Sequence, residues 1–121
     1  MKDVNEPCPE SLLPLSVPVF QILLSLAEHD RHGYGIIGDV RARSRDEVVL
    51  STSTLYGAIK RMMRDGLVER SNMRPDPELD DERRRYYRIT EFGREVASCE
   101  AQRIGRLAEM LRNSEFVTRT P

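Results

Sequence analysis

Apolar residues recur at helical spacing in the first half of the chain. Residues 18–30 open with proline, which suits the first turn of a helix, and their apolar stripe is wide enough to be buried on more than one side. Residues 32–44 place Tyr34, Ile37 and Val40 on one face, which predicts an amphipathic helix ending near Arg43. A third periodic segment, 51–65, is closed by Gly66 at a position that favours glycine.

The period then changes from 3.6 to two. Residues 67–73 and 85–90 alternate and are rich in β-branched and aromatic side chains, which predicts two strands. The segment 74–84 between them holds two prolines and five acids, so we expect a hairpin with a long polar tip. From Thr90, a plausible helix N-cap, one long helix follows. This order predicts a mainly α, α+β fold.

Composition and periodicity together divide the chain into four parts. Prolines, acids and the lack of a period predict a flexible N-terminal arm over residues 1–15. We place the folded domain at 16–90, the long helix at 91–113 and a tail at 114–121.

The size of the chain and the distribution of its charges indicate which kinds of partner it needs. With 121 residues, 39% hydrophobic and 32% charged, the chain is expected to need a partner or a second copy to complete its core. The net charge is only −1, but residues 1–30 sum to −4 and residues 31–45 to +3. This asymmetry suggests a basic interior segment beside an acidic N-terminus, although most charge clusters are solvated surface.

The sequence gives little support for a disulfide, a membrane span, a metal site or a catalytic site. Cys8 and Cys99 are far apart, which favours two thiols in a reducing cytoplasm over a disulfide. The N-terminus does not resemble a signal peptide, and no apolar run is long enough to span a membrane, so we expect a cytoplasmic protein. His29 and His32 lack the further ligands of a metal site. We expect no cofactor, no metal and no catalytic activity.

The third helix carries the most informative pattern. On a helical wheel, Leu55, Ala58, Ile59, Met62 and Met63 gather on one side, which must face a core. The other side combines hydroxyls at its start with basic residues further along. Hydroxyls, first-turn amides and the helix dipole can bind phosphates, and lysine or arginine can neutralise phosphates or bind guanine. The candidate DNA-binding residues of this segment are Ser51 (also the N-cap), Thr52, Ser53, Thr54, Tyr56, Gly57, Lys60, Arg61 and Arg64.

Gly57 lies in the middle of that outward face. A glycine inside a helix costs about 1 kcal/mol relative to alanine. Close approach of the helix to a groove would explain why the cost is tolerated. The alternative is an ordinary solvent-exposed helix with an incidental glycine.

Three helices followed by a hairpin predict a winged helix-turn-helix, in which the third helix enters the major groove and the hairpin contacts flanking DNA. Three arginines near the second wing strand, Arg83, Arg84 and Arg88, are candidates for such contacts. Pairing with the acids of the same hairpin is the alternative for these arginines, and we expect both to occur.

Four stretches resemble the PadR-type transcriptional regulators: HGYGI (32–36), STLY (53–56), KRMMRDGLV (60–68) and RRYYRITEFGRE (84–95). The resemblance runs from about Pro18 to Leu111. It implies a winged-helix DNA-binding domain, a C-terminal helical region that dimerises, and usually a repressor. Residues that match the family's motifs are Tyr34, Thr54, Leu55, Tyr56, Arg61, Gly66, Leu67, Tyr86, Tyr87, Thr90 and Gly93. Tyr34 is also a candidate DNA-binding residue.

The chain departs from the family's motifs at two positions, and the resemblance does not decide whether a small-molecule effector exists. Ser53 replaces a common glycine and Gly57 a common proline, which affects docking geometry rather than fold. The single C-terminal helix resembles the family's short subgroup. Some members respond to small molecules, so a small apolar or aromatic effector is left open.

The last helix is longer than one winged-helix core can cover. Ala97, Ile104 and Leu111 repeat every seven residues. Such a face favours a two-fold dimer, with Glu100 arguing against a plain coiled coil; folding back onto its own domain is the alternative. The predicted dimerisation residues are Phe92, Val96, Ala97, Ile104, Leu107 and Leu111.

These features together predict a homodimeric, sequence-specific DNA-binding transcriptional regulator. The family resemblance implies a repressor. A two-fold dimer would place its recognition helices about one DNA turn apart, so we expect a pseudo-palindromic operator in double-stranded DNA. The competing hypothesis is a winged-helix module that binds a protein partner and no DNA, which the acidic total charge favours slightly.

Overall fold

The computed structural model of the chain describes residues 8–71 and 85–115. A short 3-10 helix, Pro9–Leu12, precedes four α-helices and three strands. In chain order these are α1 (Val17–Glu28), β1 (Arg31–His32), α2 (Gly33–Arg43), α3 (Thr52–Arg64), β2 (Val68–Arg70), β3 (Tyr86–Ile89) and α4 (Glu91–Arg112). The predicted fold, a mainly helical α+β winged helix with a long last helix, is confirmed.

Side-chain caps set the start of each α-helix. The cap oxygen or nitrogen accepts a hydrogen bond from an amide in the first turn and so satisfies one of the helix's unpaired donors. The caps are Ser16 for α1, His32 through Nδ1 for α2, Ser51 for α3 and Thr90 for α4. Gly66 follows α3 with φ +78°, a left-handed conformation that favours glycine. The predicted N-cap roles of Ser51 and Thr90 and the position of Gly66 at the end of α3 are therefore confirmed.

The sheet is antiparallel in the order β1–β3–β2. Val68 pairs with Ile89 and Arg70 with Tyr87, which gives the wing strands their register. Strand β1 pairs Arg31 with Tyr87 on the other side of β3. The sequence did not predict β1, because two residues are too few to show a period.

The core lies between α1, α2, α3, the sheet and the first half of α4. Ile22, Leu23 and Leu55 are fully buried at its centre. From α4, Val96 is fully buried and Ala97 is 8% exposed, both within this same core. Both residues were predicted to lie in a dimer interface. That prediction is wrong, because this part of the apolar face of α4 packs on the chain's own domain.

Gly93 allows α4 to pack closely on the end of α3. A Cβ at this position would overlap the backbone carbonyl oxygen of Leu67 and crowd the side chain of Ile89. The hydroxyl of Thr90 donates to the carbonyl of Gly66 at 2.5 Å while accepting from the amide of Gly93. The exit of α3 and the start of α4 therefore form one tightly packed junction.

Residues 8–15 pack along α4, so the predicted flexible arm is wrong for this part of 1–15. The Leu15 amide donates to Glu100 Oε2 at 2.7 Å, and Arg103 Nε donates to Glu100 Oε1. Glu100 is only 1% exposed, and the Arg103 hydrogen bond holds its pKa below the usual value against the opposing effect of burial. The residue that interrupts the apolar repeat is thus the anchor for the N-terminal segment.

The basic segment predicted over residues 31–45 is largely neutralised. Arg43 pairs with Glu28 at 2.8 Å and with Asp39 at 3.2 Å, and Arg31 pairs with the same two carboxylates. The Arg43 hydrogen bond lowers the pKa of Glu28. These arginines join α1 to α2 rather than forming a basic surface. None of the helices in the described ranges 8–71 and 85–115 is long and apolar enough to cross a membrane.

Candidate nucleic-acid interface

Helix α3 is held against the core by one side and presents the other to solvent. Leu55, Ala58, Ile59 and Met62 are each at most 2% exposed and anchor the helix. Met63, predicted to face the core, is instead 39% exposed, because it lies at the edge of the buried stripe. The anchoring fixes which side chains face outward.

Hydroxyl groups surround the start of α3. Ser51 Oγ accepts from the Thr54 amide at 3.1 Å, donates to Thr54 Oγ1 at 2.9 Å and lies 3.3 Å from Ser53 Oγ. Ser51, Thr52, Ser53 and Thr54 are all exposed. These polar groups therefore lie at the positive end of the helix dipole, where an anion is favoured.

Basic side chains follow on the same outward surface. Lys60, Arg61 and Arg64 are exposed. Arg64 Nε lies 3.4 Å from Asp65 Oδ1, with the two side chains 71% and 41% exposed. An ion pair so exposed to water contributes little to stability. Arg64 can therefore leave Asp65 and bind a phosphate at a small cost in free energy.

Gly57 has no packing role inside the domain that would require glycine. Among the described residues, an added Cβ would meet only the Arg61 guanidinium within 4 Å, at 3.6 Å, which is ordinary van der Waals contact. The domain therefore has space for a side chain at this position. Packing among the described residues therefore gives no reason for glycine at this position.

The two tyrosines predicted as DNA contacts have different environments. Tyr56 is half-buried, and its phenol ring lies where a side chain on Gly33 would be. This close approach joins α3 to the start of α2. Tyr34 is 49% exposed on α2 and is accessible from solvent.

The wing contributes one described candidate. Arg88 on β3 lies opposite Glu69 on β2, and its Nε donates to Glu69 Oε1 at 2.7 Å. Both side chains are about half exposed, so this cross-strand pair is open to competition from a phosphate. Arg83 and Arg84 lie outside the described residues.

Apolar side chains remain exposed on the second half of α4. Ile104, Leu107 and Leu111 are 40%, 43% and 54% exposed, and Met110 is 68% exposed. Phe92, by contrast, is half-buried against the core. Of the six predicted dimerisation residues, the structure leaves Ile104, Leu107 and Leu111 with the most accessible surface.

The sequence did not predict the structural roles of two residues, His32 and Asp30. His32 caps α2 and also makes an edge-to-face contact with Tyr86 at a ring-centroid distance of 5.4 Å. Asp30 accepts a hydrogen bond from the Ser71 hydroxyl at 2.6 Å, which ties the β2 end of the wing to the α1–α2 connection. The His32–Tyr86 and Asp30–Ser71 contacts are long-range, and neither leaves a periodic signal in the sequence.

A family model, described as the transcriptional regulator PadR-like family, matches residues 22–98. A PadR family transcription regulator from Clostridium difficile superposes with a TM-score of 0.66 at 24% identity, covering 81% of this chain and 97% of that one. Bacillus subtilis PadR, solved in complex with operator DNA, gives a TM-score of 0.60 at 19% identity over 71% of this chain and 47% of that one.

The transcriptional regulator BldR from Sulfolobus solfataricus is 27% identical, with a TM-score of 0.60 and coverage of 90% of this chain and 70% of that one. No curated protein sequence matches this chain. The solved structures below 25% identity establish likeness of fold.

Proposed function

Because the chain belongs to the PadR-like family of transcriptional regulators, we propose that it is a homodimeric, sequence-specific DNA-binding repressor whose helix α3 enters the major groove. The observation that carries this proposal is the two-sided character of α3. Its apolar side is buried, while its solvent side combines hydroxyls, a glycine without an internal role and basic residues.

This surface suits the major groove for physical reasons. Backbone and hydroxyl donors at a helix N-terminus can hold a phosphate, which sets the position of the helix without selecting a sequence. Lys60 and Arg64 lie one helical turn apart, so both can face the same groove. Either can bind a guanine edge or a phosphate, and only base contacts give sequence specificity.

We further propose that α4 mediates dimerisation through Ile104, Leu107, Met110 and Leu111. Their combined exposure on a single helix calls for an apolar partner, and a second copy with two-fold symmetry is the most economical one. The DNA-binding unit then covers residues 16–90 with the first turns of α4 added to its core, and the dimerising unit is the rest of α4. Repression and a small-molecule effector stay predictions from the family resemblance.

Selection of bound fragments from genomic DNA by the purified protein tests the proposal first. A DNA-binding regulator enriches a two-fold-related motif, whereas a protein-binding module enriches none. With the enriched site as a fluorescent duplex, anisotropy at fixed salt then measures the affinity of Lys60→Ala and Arg64→Ala. We expect each to weaken binding by about 5- to 150-fold, as loss of one direct contact does.

Arg112→Ala is the matched control, because it removes one positive charge, 65% exposed, from the last turn of α4. We expect it to bind DNA like the wild type. Titration over salt concentration separates the two kinds of contact, since loss of a phosphate contact reduces the slope of log affinity against log salt by about 1. Wild-type affinity in both α3 variants would show that another surface binds the DNA.

A further inference from the structure

The two cysteines of the chain line the same surface cleft. It lies between the N-terminal segment and the first half of α4, with Cys8 and Glu10 on one wall and Cys99 on the other. Both cysteines are present as thiols in this structure. Ninety-one positions apart in sequence, they are brought together by the packing of residues 8–15 on α4.

Contacts within the cleft place Cys99 near the Cys8 end of the N-terminal segment. The Cys99 thiol donates to Glu10 Oε1 at 3.6 Å, and Glu10 is two residues from Cys8, a backbone span of at most about 7 Å. Cys8 is exposed, with extended backbone at the start of the 3-10 helix, and its side chain makes no capping hydrogen bond. It can therefore turn toward Cys99 without breaking a described side-chain bond.

We propose that Cys8 and Cys99 form an oxidation site at which a peroxide converts the two thiols into an intrachain disulfide. The site needs only the described packing of one chain and does not depend on DNA binding. Glu10, Glu91 and Glu95 with one arginine, Arg94, give the cleft a net negative charge. A small neutral oxidant such as hydrogen peroxide enters such a cleft more readily than an anionic disulfide such as oxidised glutathione.

The reaction balances in two steps. The exposed Cys8 sulfur attacks one peroxide oxygen, the O–O bond breaks, and Cys8 sulfenic acid and one water form. The Cys99 sulfur then attacks the Cys8 sulfur, the S–O bond breaks, and the hydroxyl leaves with the remaining thiol proton as a second water. Two thiols and one hydrogen peroxide thus give one disulfide and two waters.

The disulfide would change the mechanical role of the N-terminal segment. At present this segment is held to α4 by packing and by the Leu15–Glu100 hydrogen bond. Leu12 and Leu15 from the same segment also line a second cleft against Met62 of α3. A covalent bond at Cys8 would therefore fix a segment that packs on α4 and lines the same cleft as the candidate recognition helix.

The test oxidises the reduced full-length protein with equimolar hydrogen peroxide, then denatures it and blocks the remaining thiols with a maleimide. Intact mass spectrometry should show a monomer that has lost two hydrogens and carries no maleimide, and peptide mapping should find Cys8 linked to Cys99. Because the disulfide closes a large loop in the unfolded chain, Tm should rise by on the order of 10 °C and return after reduction.

Cys8→Ser and Cys99→Ser are the matched controls, and each should lose both the linked peptide and the reversible Tm shift. Unlinked, maleimide-labelled thiols at every peroxide dose would overturn the proposal. A covalent dimer on a denaturing, non-reducing gel would overturn it too, because it would assign the bond to two chains. Oxidation of Cys8 to sulfinic acid while Cys99 stays a thiol would show that the second sulfur cannot reach the first.

Discussion

Replacement of Gly57 separates the stability of the domain from its proposed function. The site lies within α3, between Ser53 and Lys60 on the outward face, and the domain offers space for a side chain there. We therefore expect Gly57→Ala and Gly57→Leu to fold normally. Both should lose DNA affinity, Leu more than Ala, because the new side chain holds the helix away from the groove.

Replacing Gly57 should raise the stability of the domain and lower its DNA affinity, and both changes can be estimated. Removing a glycine from a helix interior gains about 1 kcal/mol for alanine and slightly less for leucine. For a domain of this size that gain raises Tm by about 4 °C. If leucine prevents one or two base contacts worth about 1–3 kcal/mol each, affinity falls at least about fivefold.

Thermal unfolding and fluorescence anisotropy on the selected operator measure the two effects in the same samples. Gly105→Ala is the control, since Gly105 is an exposed glycine within α4 and no atom of the described part of the chain lies within 4 Å of an added Cβ. It should gain similar stability and keep its DNA affinity. Wild-type affinity in Gly57→Leu would refute the reasoning, because a leucine in the centre of the bound face cannot be neutral.

Three further predictions concern the fold and the dimer. Ile104→Asp combined with Leu107→Asp should give monomers in multi-angle light scattering without loss of helix content; an unchanged mass would contradict the proposed interface. Gly93→Ala should lower the urea midpoint by the equivalent of about 1–3 kcal/mol, since the methyl overlaps the Leu67 carbonyl, whereas Gly105→Ala should raise it. Because the pKa of Glu100 is lowered in the folded state, its contribution to stability is present above about pH 4.5 and is lost as pH falls through the lowered value. The Tm difference between wild type and Glu100→Gln should therefore be largest near pH 6 and vanish in strong acid, and a difference independent of pH would contradict this assignment.

Most of the fold could be predicted from interactions between residues that are close in sequence. Helix starts at Ser51 and Thr90 follow from side chains that can accept amide hydrogen bonds, and the end of α3 follows from a glycine that tolerates positive φ. The outward face of α3 followed from helical periodicity alone. These features depend on residues within one or two turns of each other, which a sequence displays directly.

Features that depend on distant partners were not predictable in this way. Periodicity placed Ala97 and Ile104 on one apolar face of α4, but it could not tell which part of that face packs on the chain's own core. The charge sum over residues 31–45 could not show that Arg43 is paired with Glu28 from α1. Glu100 interrupted an apolar repeat, and its role emerged only with the amide of Leu15 beside it.

The packing of α4 on its own domain makes only the second half of this helix a lever. Glu100 is the last buried residue of α4, so about twelve residues, or ~18 Å of helix, extend beyond the core. A 10° change in the direction of this arm moves its end by about 3 Å. In a dimer joined at the ends of its two arms, the direction of each arm relative to its domain would set the separation of the two α3 helices. The packing of α4 on the core would then determine which spacing of operator half-sites the dimer fits.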